Sequence, residues 1–510
     1  MWGAPLVPLL SWHNRDEDLT RAARVPYRLL EPVADLAYGD PDATNMLIEG
    51  DNLDALKSLL PYYAGQVKCI FIDPPYNTGS AFEHYDDNLE HSKWLSMMYP
   101  RLELLRELLA EDGSIWVTLD DNEAHYFKVI CDEILYRKNF VGNVIWQKKF
   151  APQNDAKLVD ANHDHVFVFA RDKTRVSINL LPRSESMDAR YKNPDGDPRG
   201  PWTSDNPLRR EFREYAYYEL TTPSGRKVLP PPGASWRFNK EEVPRLMAEN
   251  RLWFGANGKG VPRIKRFLSE VKQGVIAQTI WPHTEVGNTQ EAKKEVIRFN
   301  AEDIFDTPKP ERLVKRVLEL ATNPGDLVLD SFLGSGTTAA VAHKMGRRWI
   351  GIEMGEHART HCLPRLKQVV DGEQGGISRA AEWQGGGGFR FYRLAGPVFD
   401  AHGGISAGIG FEDLAAHVWF AETGTPRQSG AGDEAFLGEH RGTGYYLLFD
   451  GVPGDGGERG GNVLNRRVLR ALPPFDGPRV IYAEACALSA EQLRELDIRF
   501  RQTPYDIKAR

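Results

Sequence analysis

The sequence predicts a doubly wound α/β fold whose parallel sheet is assembled from two separate stretches of chain. Three observations carry that reading. From Asn45 to about Gln147, short apolar runs alternate with stretches of helical spacing, as in parallel strands joined by crossover helices. The same alternation returns at about Asp303 and lasts to Val370. Between the two, residues 149–300 lose it and become rich in Pro, Asn, Arg and aromatics, as an inserted irregular domain would.

In chain order, the expected strands of the first stretch are 46–49, 67–72, 114–118 and 141–146. Residues 54–60, 92–110 and 122–135 have apolar positions at helical spacing between them. The run 165–170, His-Val-Phe-Val-Phe-Ala, reads as one more strand of the same sheet. The second stretch opens with a helix at 311–321 and turns at Asn323-Pro-Gly-Asp326. It continues through a strand at 327–330, a glycine-rich turn, a helix at 338–345 and a strand at 348–353. Gly385-Gly-Gly-Gly388 reads as a hinge or turn. Strands near 445–449, 479–485 and 498–501 suggest a small α/β unit at the end, and no repeat of fixed period is present.

The 510 residues are too many for one ordinary core, and 41% hydrophobic with 26% charged residues is an ordinary globular composition. Cys69, Cys131, Cys362 and Cys486 are scattered, without the close pairs that build zinc or redox sites, so no metal is expected. The apolar run in residues 1–10 lacks a basic leader, and no stretch reaches membrane-span length, which points to the cytoplasm and away from membranes. The net charge of -7 is unevenly spread. Residues 1–140 carry 12 Lys+Arg against 24 Asp+Glu, whereas residues 141–300 carry 27 against 19. A net of +8 in the irregular segment suits contact with phosphates, and a solvated surface would look the same.

Three groups of residues carry chemistry. Asp73-Pro74-Pro75-Tyr76 directly follows an apolar strand, where ligands bind in an open parallel sheet. An exocyclic amine on a base is a poor nucleophile because its lone pair is delocalised. A carboxylate from Asp73 and the carbonyl of Pro74 can each accept one amine hydrogen and localise that lone pair. The prolines fix φ and hold the carbonyl outward, and Tyr76 offers a face on which an extruded base can stack. A strand simply ended by prolines is the plainer alternative. The second group is the turn from Asp330 through Phe332, Gly334 and Gly336 to Thr337 and Thr338. Its glycines allow close backbone approach, but it has neither the Lys-Ser/Thr of a phosphate loop nor a full dinucleotide fingerprint. Glu353, at the end of the next strand, can hold ribose hydroxyls or cap the following helix. The third is Asp51-Asn52, again at a strand end, where Asp51 is equally an N-cap.

Together these motifs resemble the amino-methylating DNA methyltransferases of the beta class, in which D-P-P-Y precedes F-x-G-x-G. Phe71-Ile-Asp-Pro-Pro-Tyr-Asn-Thr-Gly79 and the segment 191–202, from Tyr191 to Trp202, look like the modification (Mod) subunits of type III restriction systems. The resemblance covers about residues 25–395. It implies a Rossmann-like methyltransferase sheet with a catalytic half at 25–170 and a cofactor-binding half at 301–395. A target-recognition domain would span 171–300, and 396–510 would be a C-terminal α/β domain. It further implies S-adenosylmethionine in a pocket of Phe332, Gly334 and Gly336, with Glu353 on the ribose and Asp51 near the adenine ring. Asn52, Asp330, Thr337 and the pair Lys309-Pro310 would complete that pocket. Asp73, Pro74, Pro75 and Tyr76 would hold the target base.

The activity implied is methylation of adenine N6 in double-stranded DNA, in a restriction-modification or related defence system. N4-cytosine methylation is the nearest alternative, with relatives that usually carry Ser in place of Asp73. A non-catalytic specificity subunit is another. A homodimer and a restriction or other defence subunit are the protein partners left open.

Overall fold

The computed structural model describes residues 9–77, 91–151, 158–300, 303, 305–400, 402–427, 435–449 and 462–507. Thr78, Gly79 and most of the apolar run at 1–10 lie outside the described residues. The chain forms two compact units, Met1–Asn179 with Gln278–Arg510, and Leu180–Ala277.

In the first unit, besides a two-residue strand at Tyr38–Gly39 that pairs with Gly388 and Phe389, the sheet strands are β1 (Arg28–Pro32), β2 (Met46–Glu49), β3 (Val67–Ile72), β4 (Leu109–Leu119) and β5 (Phe140–Gln147). They continue as β6 (His163–Ala170), β7 (Ile280–Trp281), β8 (Leu327–Asp330), β9 (Arg348–Glu353) and β10 (Gly388–Pro397). Their spatial order is β1-β10-β2-β9-β8-β3-β4-β6-β5-β7. All pairings from β10 to β4 are parallel, β6 runs antiparallel to both neighbours, and β1 is antiparallel to β10. The inner strands are apolar on both faces: all four residues of β8 are buried, as are Val67 and Cys69 to Ile72 of β3. Such strands need helices on both sides.

The longer helices are α1 (Arg15–Arg24), α2 (Asn52–Tyr63), α3 (His91–Leu108), α4 (Ala124–Ile134) and α5 (Thr289–Ile297). After them come α6 (Glu311–Ala321), α7 (Thr337–Lys344), α8 (Leu363–Val370) and α9 (Phe411–Thr423). The crossover β3-α3-β4 steps one way along the sheet and β8-α7-β9 steps the other. Right-handed connections therefore put α3 and α7 on opposite faces. Helices α1, α2 and α4 pack with α3, whereas α6 and α8 pack with α7. The sheet is doubly wound.

Three of these ten strands, β1, β7 and β10, escape the sequence pattern. The glycine run at 385–388 makes a turn with positive φ at Gly385, Gly386 and Gly387, but it feeds straight into β10 rather than ending the sheet. The alternation of buried Phe389 and Phe391 with Arg390 was the available signal. β7 is two residues long and is held by Trp281, buried and stacked on Trp116 with ring centroids 6.3 Å apart. No periodicity can reveal so short a strand.

The tail has its own four-stranded sheet of Phe436–His440, Thr443–Leu447, Arg479–Ala483 and Ile498–Gln502, which covers the three positions read from sequence. It remains within the first unit, and α9 packs against α2, with Tyr62 donating to Asp413.

The second unit is built around Leu220, Val228, Trp236, Phe238, Leu252 and Phe254, with a three-stranded sheet of Leu252–Trp253, Arg263–Phe267 and Trp202–Asp205. The 191–202 segment has a structural task here. Asp195 and Asp197 both pair with the fully buried Lys265 ammonium, and the Trp202 indole donates to Asp195 at 2.8 Å.

Candidate functional site

The site grows from the carboxyl ends of β3 and β8. These strands are parallel neighbours, with Val328 beside Cys69 and Leu329 beside Ile70, although about 260 residues separate them in the chain. Asp73-Pro74-Pro75-Tyr76 leaves the end of β3, and the glycine turn leaves the end of β8. Because the two crossovers diverge at this point, a crevice must open between the turns. A cavity of about 430 Å³ lies there. Asp73, Pro74, Pro75 and Tyr76 line one side, and Asp330, Phe332, Gly334 and Thr337 the other, with Lys309 also in the wall.

Both oxygens of Asp73 are held. The Thr118 hydroxyl donates to Oδ1 at 2.5 Å, and the Lys309 ammonium pairs with Oδ2. Each carboxylate oxygen retains acceptor capacity after one such bond. The buried Trp94 indole donates to the Pro75 carbonyl at 2.7 Å and fixes the turn. Tyr76 offers its hydroxyl to Asp164 at 3.4 Å, and the Lys309 ammonium sits 5.1 Å from its ring centroid. Burial first, then the charges of Asp164 and Asp73, push the Tyr76 hydroxyl well above its ordinary value, so it stays a neutral phenol. Asn77, in the left-handed region at φ 57°, donates to Glu123 at 2.7 Å and closes the turn.

Opposite, Asp330 braces the glycine turn by accepting from the Phe332 backbone at 2.9 Å and the Thr338 hydroxyl at 2.6 Å. The Gly334 N–H donates to Glu353 Oε2 at 2.6 Å. Gly334 has φ +57°, and a Cβ there would stand 3.0 Å from the Phe305 ring. Behind the turn, the Arg365 guanidinium donates to the Thr337 hydroxyl at 2.8 Å and the Ser335 carbonyl at 3.2 Å. Arg365 and Lys344 both pair with Glu311 at 2.8 Å, and all three side chains are buried.

Burial pushes Asp330 up to about 7, against 3.8 unperturbed. A carboxyl raised in the folded state favours folding while it is protonated. That contribution is complete below pH 3.8 and disappears as pH rises to about 7. Wild-type stability should therefore fall across this window by at most about 4 kcal/mol on this account. Asp330→Asn should flatten that part of the profile, measured by urea unfolding at pH 4 to 8.

Of the residues singled out from sequence, Asp73, Pro74, Pro75, Tyr76, Lys309, Asp330, Phe332, Gly334 and Thr337 share the cavity wall, while Asp51, Asn52, Pro310, Gly336 and Glu353 are not among its lining. Asp51 caps α2 through the Leu53 N–H and pairs with Arg101 at 3.1 Å. Asn52 donates to the Ser331 carbonyl at 2.6 Å and so ties α2 to the glycine turn. Pro310 stands at the N-cap of α6, and Gly336, at φ +80°, at that of α7.

Thr118, Lys148 and Asp164 were not legible as site residues; each sits at or beside a strand end and reaches the cavity or Asp73 only through the sheet order. One further cluster stands nearby: Asp121, His163 and His165 bring ligand atoms within 4.8 Å of one another. There the His165 ring already contacts Asn143 and Asp121, each at 2.9 Å. Among the described residues no helix is long and apolar enough to cross a membrane.

Comparison with known proteins places this arrangement. The probable type III restriction-modification enzyme HindVI Mod subunit of Haemophilus influenzae is 32% identical over 412 residues, 69% of this chain and 54% of its own length. The StyLTI Mod subunit of Salmonella typhimurium, of a type III restriction-modification enzyme, is 34% identical over 328 residues, 58% of this chain and 49% of its own. The chain thus spans about half the length of these two relatives. The type II methyltransferase M.EcaI of Enterobacter cloacae is 31% identical over 330 residues, 63% of this chain and 69% of its own. A solved cytosine-N4-specific PvuII DNA methyltransferase covers 64% of this chain and 91% of its own at 15% identity, with a TM-score of 0.36, too loose a superposition to bear on fold or function. The profile of the DNA methylase family matches residues 67–362, more than half of the sequence and both sides of the cavity. The chain is a member of the DNA methylase family.

Proposed function

We propose that this protein transfers a methyl group from S-adenosylmethionine to N6 of an adenine extruded from double-stranded DNA. The observation that carries the reading is the single cavity shared by Asp73 and Tyr76 on one side and Phe332 and Gly334 on the other. It sets an amine-binding carboxylate beside a turn able to take a nucleoside.

The turn fits the methyl donor. Gly334 lacks the Cβ that would press on Phe305, and Phe332 gives the cavity an apolar wall. A cavity of about 430 Å³ is within the range of cofactor sites. When bound, S-adenosylmethionine supplies an electrophilic methyl on a sulfonium. Phe332, Gly334, Asp330, Thr337 and Lys309 would hold it from the cavity wall. Asp51, Asn52, Pro310, Gly336 and Glu353 support that wall from around it, with Glu353 fixing the Gly334 N–H. Asp73 accepts one amine hydrogen on its remaining acceptor sites and the Pro74 carbonyl accepts the other, which localises the nitrogen lone pair. Tyr76 stacks on the base, and Pro75, anchored by Trp94, keeps the turn rigid. The chain's own groups thus bind, orient and polarise, and the proton can leave after transfer.

Residues 25–170 and 301–395 form the catalytic and cofactor halves in this reading, and 171–300 read the target sequence. The compact unit Leu180–Ala277 carries 18 Lys+Arg against 12 Asp+Glu, which supports contact with phosphates. Residues 396–510 serve assembly, as contacts for a second copy or a restriction or other defence subunit. The relatives named as Mod subunits of restriction-modification enzymes support that setting and a cytoplasmic location.

The test is incubation with S-adenosylmethionine and unmethylated genomic DNA, then digestion to nucleosides and mass spectrometry. N6-methyladenine is expected. N4-methylcytosine would replace the substrate, and no methylated base would remove the reading. Gly334→Ala adds backbone strain and a clash with Phe305. It should raise the KM for S-adenosylmethionine roughly 10-fold, the effect of about 1–2 kcal/mol of strain, with a smaller change in kcat.

A further inference from the structure

Behind Tyr76 stands an ion pair that the mechanism above does not use. β5 and β6 run antiparallel with Trp146 opposite Asp164, and Lys148 follows β5 directly. The Lys148 ammonium pairs with Asp164 Oδ1 at 2.6 Å, and Asp164 Oδ2 faces the Tyr76 hydroxyl at 3.4 Å. Lys148 is fixed at its backbone as well. Its N–H donates to the Asn162 carbonyl at 2.9 Å, and its own carbonyl accepts from the Thr289 N–H at 3.1 Å. Both side chains line the cavity, with the Asp164 side chain 2% exposed and that of Lys148 17%.

A buried ion pair is a poor way to stabilise a cavity wall, because desolvation consumes most of what the attraction returns. An ammonium pinned at one end also has donors left over, since one carboxylate oxygen uses only one of three. That ammonium lies 6.0 Å from the centroid of the Tyr76 ring, on which the base is proposed to stack. Lys149 and Lys293 line the same cavity, but the Lys293 side chain is 50% exposed, as suits a phosphate contact. Lys148 is too enclosed for that task.

We propose that Lys148, held by Asp164, donates a hydrogen bond to the ring nitrogen beside the reacting amine, and so admits bases that carry an acceptor there. This rests on the adenine methyltransferase reading. Adenine presents N1 at that edge and cytosine N3, both acceptors. Guanine and thymine present N–H, which an ammonium can only repel. The pair separates amine-bearing bases from carbonyl-bearing ones, and leaves the choice between adenine and cytosine to other contacts. Asp164 is a positioning residue that sets Lys148 and Tyr76 together.

Once the methylated sequence has been mapped, duplexes carrying adenine, 1-deazaadenine or 7-deazaadenine at the target position test the contact in single-turnover assays of the full chain. The wild type should lose roughly 10- to 100-fold in rate with 1-deazaadenine, the range for one charge-assisted hydrogen bond, and little with 7-deazaadenine. Lys148→Met should be slow with adenine and no slower with 1-deazaadenine. Asp164→Asn should fall between the two. S-adenosylmethionine binding by Lys148→Met, followed by calorimetry, should match the wild type. A Lys148→Met enzyme as sensitive to 1-deazaadenine as the wild type overturns the inference, and the methyltransferase reading stands. If that variant does not fold, wild-type rates alone decide, since equal rates on adenine and 1-deazaadenine exclude the contact. A wild type that methylates no adenine at all removes the parent reading and this one with it.

Discussion

Replacing Asp73 with Ala should lower the single-turnover rate of methyl transfer by about 10³-fold, the upper end of what one preorganised polar group contributes at a reacting centre. The loss belongs in the chemical step. Asp73 polarises the amine, whereas stacking on Tyr76 and contacts with the methyl donor survive the change. Binding of S-adenosylmethionine by calorimetry should therefore change less than 10-fold. Asp73 also pairs with Lys309, whose side chain is 8% exposed, so the Ala variant leaves an ammonium without that carboxylate. Asp73→Asn keeps the shape and an acceptor, and should be intermediate. Nearly full activity in Asp73→Ala would end the proposed mechanism.

Glu311→Ala should be the most damaging change to stability, by about 3–5 kcal/mol, because it removes a carboxylate from two buried cations and leaves Arg365 without its ion-pair partner. Lys344 keeps Glu373 and the Gly375 carbonyl, whereas Arg365 is left with neutral hydrogen-bond partners, the Thr337 hydroxyl and the carbonyl and hydroxyl of Ser335. Urea unfolding of wild type and variant measures the difference. The substitution also reaches the site, since Arg365 fixes the glycine turn from behind. Replacing Glu311, Lys344 and Arg365 together with apolar residues should recover much of the stability, since a whole buried ionic cluster is often dispensable where half of one is not. It should not restore the turn. Stability and S-adenosylmethionine affinity would then part company.

The portion of this architecture legible in the sequence is the portion that strong local patterns encode. β3 and β8 are buried on both faces, so their apolar runs stand out, and the residues that end them, Asp73 and Asp330, are conspicuous for the same reason. The glycine turn declared itself through chain geometry alone. What remained hidden depends on partners far away in the chain. Lys309 meets Asp73 across 236 residues, and Arg365 meets Glu311 across 54, and nothing near any of these positions marks the pairing. Lys148 looked like one cation among many in a basic segment. Asp51 and Asn52 were conspicuous for their place at a strand end, yet they act as a cap and a tie to the turn rather than as lining of the cavity.

The adjacency of β3 and β8 also governs how the protein is made. β2 pairs with β9 and β10, and β3 needs β8 on one edge, so both wait for chain far downstream. At typical synthesis speeds of 5–20 residues per second, Ile72 precedes Asp330 by roughly 15–50 seconds. During that time the nascent chain holds apolar strands with open edges, the feature that most invites association with other chains. Chaperone supply and translation speed across the intervening segment therefore bear on yield alongside the stability of the finished molecule.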